Sequence, residues 1–246
     1  MAAARRAILH EALEQILANR AGVLSGEDPE YLHQLRVGTR RLRAALTVFG
    51  DMMRKEDLRA LRRMLRALAR VTGPARDWDV FARRLPASLR PAAERRRRSA
   101  YVALRRVLRA PQLWLLPRSQ DVPRVPLPEF ARQVLERAER KALRRGARID
   151  WSRAAKRHAL RIRLRRLRYA SEFLHGAFAD ADAEPFIRSL RHLQDLLGEL
   201  NDLEVARHLR AELTGSPPRS GARKAKLLAQ LPAAWKAFAA APRFWR

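Results

Sequence analysis

The sequence predicts an all-α fold in which one helical pattern is used twice. Three observations predict it. Nearly every segment of the 246-residue chain carries apolar residues at spacings of three and four. The proline-poor stretches are rich in Ala, Leu and Arg, which are good helix formers. Finally, the run His33-Gln34-Leu35-Arg36-Val37-Gly38-Thr39-Arg40-Arg41-Leu42-Arg43 returns 125 positions later as His158-Ala159-Leu160-Arg161-Ile162-Arg163-Leu164-Arg165-Arg166-Leu167-Arg168. The same ungapped shift pairs Leu65 with Leu190, Leu68 with Leu193, Gly73 with Gly198, Asp77 with Asp202 and Val80 with Val205. A register held that long marks a tandem duplication, and two like halves are expected to pack about a pseudo-twofold axis.

Taken in order, the periodicity places helices at roughly 2–20, 29–53, 55–72, 78–109, 129–146, 151–178, 183–198, 202–214 and 221–241. Asp28 before Pro29, Asp77 before Trp78 and Asp150 before Trp151 read as caps, because a carboxylate there accepts from the free N–H groups of the first turn. Gly22, Gly73, Gly146 and Gly198 read as helix ends. Glu94-Arg95-Arg96-Arg97-Arg98 reads as the solvated face of a long hairpin helix. Five of the 14 prolines fall between Pro111 and Pro128, which makes residues 110–128 the linker between a first half, 1–109, and a second, 129–213. A second break, Thr214 to Gly221, sets apart a last helix and tail over 221–246, expected to dock through Trp235 and Phe238.

The charge balance narrows the partners. The chain has 53 Lys and Arg against 25 Asp and Glu, a net charge of +28. A globular chain so self-repelling is most easily understood as the partner of a polyanion. Among the basic residues 47 are Arg, whose planar fork grips two phosphate oxygens at once; genomic GC bias yields the same excess, so the Arg count alone does not decide. The absence of cysteine removes disulfides, thiolate metal sites and a Cys nucleophile. No apolar run reaches the length of a membrane span and Met1 to Arg6 lacks a secretory core, so a cytoplasmic location and no membrane partner are expected.

On a helical wheel His33, Arg36, Arg40 and Arg43 fall within about 80° of one another, while Leu35, Leu42, Leu46 and Phe49 lie opposite. His158, Arg161, Arg165 and Arg168 repeat the arrangement against Leu160 and Leu167. One such face is no more than the wet side of an amphipathic helix. Two with the same imidazole and three guanidiniums in the same order are expected to be a binding surface, since a solvated face drifts freely among Lys, Glu and Gln. Each row spans about 15 Å at 1.5 Å rise per residue, long for a phosphate ester and suited to a linear polyanion. The competing ligand is nucleic acid, for which single-strand binding normally adds stacked aromatics; neither row interleaves them.

These motifs, with Arg168-Tyr169, Gly73-Pro-Ala-Arg-Asp-Trp-Asp-Val80 and Leu193-Gln-Asp-Leu-Leu-Gly-Glu-Leu-Asn-Asp202, resemble the CHAD family, the conserved histidine α-helical domain, over about residues 2–213. The resemblance implies an all-α fold of two pseudo-symmetric four-helix bundles around a basic central channel that binds inorganic polyphosphate. It carries His33, Arg36, Arg40, Arg43, His158, Arg161, Arg165 and Arg168 into that channel. Arg63, Arg66, Arg188 and Arg191 on the following helix of each half become a secondary phosphate tier, imperfectly symmetric because Arg70 matches Asp195. Many relatives pair this domain with a triphosphate tunnel domain whose catalysis depends on Glu-x-Glu-x-Lys. No Glu-x-Glu occurs here, and no Ser/His/Asp order, Gly-rich phosphate loop or close carboxylate pair stands in a suitable context.

The expectation is therefore a non-catalytic polyphosphate-binding protein with no catalytic residues, metal or cofactor. It associates with polyphosphate or its granules and meets nucleic acid only as a non-specific polyanion. The alternative is an RNA-binding protein using the same surface. Asp77 and Asp202 are read as helix caps rather than metal ligands.

Overall fold

The structure, a computed structural model, describes residues 2–26, 28–110, 126–178, 182–216 and 221–246. Among them are eight α-helices, joined by turns and short 3-10 segments, and no strand. The chain divides into two compact units, Met1–Pro123 with Leu209–Gly215, and Arg124–His208 with Ser216–Arg246.

The first unit holds α1 (Ala2–Ser25), α2 (Pro29–Val48), α3 (Lys55–Ala82) and α4 (Arg90–Arg109). Asp28 starts α2 as the sequence predicts: its side chain accepts from the Glu30 N–H at 2.8 Å, and Pro29 gives up no hydrogen bond in the first turn. Gly26, at φ 72°, ends α1 in the left-handed conformation that glycine adopts without strain. Leu32, Leu35, Leu42 and Leu46 of α2 are buried with Ile16, Leu65, Leu68, Leu104 and Leu108 from the other three helices. That apolar stripe turns the opposite face of α2 outward.

The second unit holds α5 (Leu127–Gly146), α6 (Ala154–Leu174), α7 (Glu184–Thr214, whose end from Leu209 groups with the first unit) and α8 (Ala222–Ala240). Leu160, Leu164 and Leu167 bury one side of α6, so the repeated pattern is again turned out on the other. The last helix docks through aromatics: Trp235 meets Trp151 edge-on at 6.3 Å, and Phe238 packs at 5.8 Å from Phe186. The tail follows it inward. Trp245 is 1% exposed and stands perpendicular to Phe186 at 4.8 Å. Buried Glu139 of α5 receives Arg243 at 2.5 Å and Arg246 at 3.0 Å.

The structure corrects several boundaries. Gly73 and Gly198 end nothing: α3 and α7 run straight through them, so the predicted pairs 55–72 with the start of 78–109, and 183–198 with 202–214, are each one helix. A mid-helix glycine costs about 1 kcal/mol. Carrying the apolar stripe on to buried Trp78 and Phe81 in α3, or to Leu200 in α7, returns about 1.5–3 kcal/mol per side chain, so tertiary packing wins. Asp77 and Asp202 consequently lie inside helices and cap nothing. The predicted hairpin helix instead breaks between Ala82 and Arg90. Asp150 forms an Asx turn with Ser152, and α6 begins only at Ala154. Of the Pro-rich linker, residues 111–125 lie outside the described residues, as do 217–220 in the second break.

Candidate functional site

On α2, His33, Arg36 and Arg40 are half-buried and Arg43 is exposed. Arg36 reaches the middle of α3, where its guanidinium donates to the Thr72 hydroxyl at 3.3 Å and passes Gly73, whose hypothetical Cβ would sit 3.7 Å from it. Arg36 thus lies flat on the α3 backbone where a side chain would otherwise begin. Arg76, one turn on, belongs to the same cluster; it donates to the Pro29 carbonyl at 3.4 Å. Burial lowers the His33 pKa from its usual value; Arg76, Arg40 and Arg36 lower it further, and Glu30 opposes them. Burial likewise lowers that of Arg36, with Asp77 acting against it and Arg40 and Arg76 acting with it. Arg36, Arg40 and Arg76 thus act on one another and on His33, with Asp77 and Glu30 as the opposing carboxylates. Among the described residues nothing accepts from the enclosed Nε of Arg40.

The second face is laid out alike and wired differently. Arg161 passes Gly198 of α7, with a hypothetical Cβ 3.8 Å from Nη2, as Arg36 passes Gly73. His158 is exposed and its Nδ1 lies 3.1 Å from Oδ1 of Asn201, which stands where the first half has Arg76. Arg165 is half-buried on the same side of α6. Arg168 pairs with Glu172 at 2.7 Å, donates to Gln194 at 3.2 Å and lies 4.8 Å from the centre of the Tyr169 ring.

Within each unit the sequence-predicted His/Arg residues gather on one helix face, and the outer tier is unevenly paired. Arg63 and Arg66 are exposed on α3. Arg188 and Arg191 are also exposed but answer to carboxylates: Arg188 to Glu184 at 3.6 Å, Arg191 to Glu184 at 3.7 Å and to Glu172 at 3.8 Å. Sequence reasoning missed Arg76 as a member of the first cluster. Its signal was present, since it comes three residues after Gly73 and shares that glycine's helical face. Arg97, read as part of a solvated run, instead holds the 3%-exposed Asp79 at 2.7 Å, and the Tyr101 hydroxyl donates to the same carboxylate at 2.8 Å. Its neighbours Arg95, Arg96 and Arg98 are exposed to solvent, as the sequence predicts.

Among the described residues no group of three His, Asp and Glu is placed to hold a metal ion. No described helix is long and apolar enough to cross a membrane.

Residues 7–211 match the CHAD domain family. The crystal structure of the CHAD domain from the plant Ricinus communis is 30% identical, with a TM-score of 0.73 over 98% of this chain and 92% of that one. PptA from Streptomyces chartreusis, at 17% identity, shares the fold, with a TM-score of 0.67 and 96% of each chain covered. No curated protein matches the chain.

Proposed function

Because the chain belongs to the CHAD family, we propose that it is a non-catalytic protein that binds inorganic polyphosphate through the His/Arg faces of α2 and α6. The observation that carries this reading is the gathering of His33, Arg36, Arg40 and Arg76 where α2 meets α3, with burial and then neighbouring guanidiniums lowering the His33 pKa. A fold retains such repulsion at a cost in stability, and an anion removes that cost. Each guanidinium can take two nonbridging oxygens of a phosphate chain in charge-assisted hydrogen bonds, and protonated His33 adds a further donor.

Two features favour a bare phosphate chain over RNA. The rows are linear and about 15 Å long, matching a repeating polyanion. The aromatic nearest the second row, Tyr169, is 6% exposed beneath Arg168, so it offers no free ring face for a base. The reading is non-catalytic because positioned cations stabilise phosphate charge, whereas hydrolysis also requires a base or metal-held water, and the sequence contains no Glu-x-Glu motif to supply carboxylates.

The test is a binding titration with polyphosphate of defined length. Reversing Arg40 and Arg165 together to Glu is expected to weaken binding by about 100-fold or more. The control reverses exposed Arg95 and Arg96, not Arg97, whose loss would strip a buried carboxylate. Equal losses from both pairs would replace a specific face with diffuse charge. Displacement by RNA at equal phosphate concentration would favour a general polyanion binder, and phosphate release in the presence of Mg²⁺ or Mn²⁺ would overturn the non-catalytic reading.

A further inference from the structure

The two faces, taken as phosphate sites, are inequivalent, and the difference is concentrated at one end. On the first half, the positions Arg43, Thr47, Arg59 and Arg66 carry three cations and no anion. At the matched positions of the second half stand Arg168, Glu172, Glu184 and Arg191, two cations and two anions. The carboxylates are in use. Glu172 lies 2.7 Å from Arg168 and 3.8 Å from Arg191, and Glu184 lies 3.7 Å from Arg191. Glu172 is 26% exposed, and Arg168 has a further hydrogen bond to Gln194 and lies over Tyr169, so the pair is held on several sides. At the matched place in the first half, the Thr47 hydroxyl only returns a hydrogen bond to the Arg43 carbonyl, leaving the Arg43 guanidinium exposed.

We propose that Glu172 is a specificity-determining residue that occupies Arg168 and Arg191 in place of phosphate, so that the end of the second face is closed and the polyanion is gripped chiefly by the first half. This rests on the reading of both faces as polyphosphate sites. A phosphate oxygen arriving at Arg168 must displace an internal carboxylate that is already desolvated and aligned, and must approach past its negative charge. At Arg43 it displaces only water. Binding therefore costs more at the second face for the same guanidinium.

The experiment titrates the full chain with polyphosphate of one length across a salt series. Glu172→Gln is expected to tighten binding by about three- to tenfold and to steepen the salt dependence by about one ion, because a freed guanidinium adds a phosphate contact. Thr47→Glu, which places the same i to i+4 carboxylate against Arg43, is expected to weaken binding by a similar factor and flatten the slope. Circular dichroism melts on both variants, and Glu172→Thr as a second substitution, separate a lost fold from a changed site. Unchanged or weaker binding by folded Glu172→Gln and Glu172→Thr, with the Arg40 and Arg165 reversal still weakening it about 100-fold or more, overturns this inference while leaving the functional reading intact. Failure of the unaltered protein to bind polyphosphate overturns both.

Discussion

His158 Nδ1 lies 3.1 Å from the side-chain oxygen of Asn201, whereas the matched His33 has Arg76 in that place. One substitution across the repeat thus gives two identical imidazoles opposite surroundings: a neutral amide able to accept, and a guanidinium that repels a proton.

For His33 the sign is fixed by its lowered pKa, caused first by burial and then by Arg76. The unfolded chain takes up the proton first, so His33 costs stability as pH falls through the ordinary histidine value near ~6.5, and the full cost is reached below its folded value. Polyphosphate reverses the preference, since it favours the imidazolium. Affinity is expected to rise as pH drops, with the His33 part of the rise setting in below ~6.5. Replacing Arg76 with Asn is expected to move the His33 midpoint upward in an NMR titration; an unmoved midpoint would show that the guanidinium is not felt by the ring.

The glycines under Arg36 and Arg161 differ in the residue on their C-terminal side, Pro74 in one case and Glu199 in the other. Gly198→Ala should stabilise the protein by about 0.5–1 kcal/mol in denaturant unfolding, because alanine is the better helix former and its Cβ meets Arg161 at ordinary contact distance. Gly73→Ala should gain less or lose, since the Pro74 ring crowds a Cβ on the preceding residue in helical conformation. Equal gains at both sites would show that the proline imposes no such penalty.

The Asp79, Arg97 and Tyr101 network should matter for stability and not for ligand. Burial first, and then the bond to Asp79, push the Tyr101 hydroxyl up to about 12. Tyr101→Phe is expected to cost about 1–2 kcal/mol of unfolding free energy and to leave polyphosphate affinity within about twofold of the parent. A spectrophotometric titration should find this phenol ionising well above the ordinary tyrosine value near ~10.

Removing residues 243–246 strips Glu139 of both guanidiniums and opens the pocket of Trp245. A loss of about 3–5 kcal/mol is expected. Adding Glu139→Gln to the truncated chain should recover part of it, because an amide is cheaper to bury unpaired than a carboxylate.

Much of the fold is legible in the sequence because it depends on periodicity. The 125-residue register locates α2 and α6, and the wheel separates their buried leucines from their His/Arg rows without knowledge of the neighbours. The features that escape depend on partners distant in sequence. Gly73 and Gly198 look like stops locally, and only the burial of Trp78, Phe81 and Leu200 explains why the helices continue. Asp77, read as a cap, is the acidic neighbour of Arg36. Glu172 shows locally only as the i+4 partner of Arg168, and its second tie, to Arg191 on the next helix, depends on the fold. Arg97 sits in a charge run whose members Arg95 and Arg96 do face water, and one buried aspartate 18 residues away sets it apart.

The clamp on Glu139 also has a consequence during synthesis. Its two partners are encoded 104 and 107 residues downstream, so at roughly 5–20 residues per second the ribosome needs several seconds to make the cations after making the anion. Throughout that interval the nascent α5 carries a naked carboxylate on the side it will eventually bury. The ion pairs that cover Glu139 therefore form only after Arg243 and Arg246 have been made, so this part of the second unit is completed late.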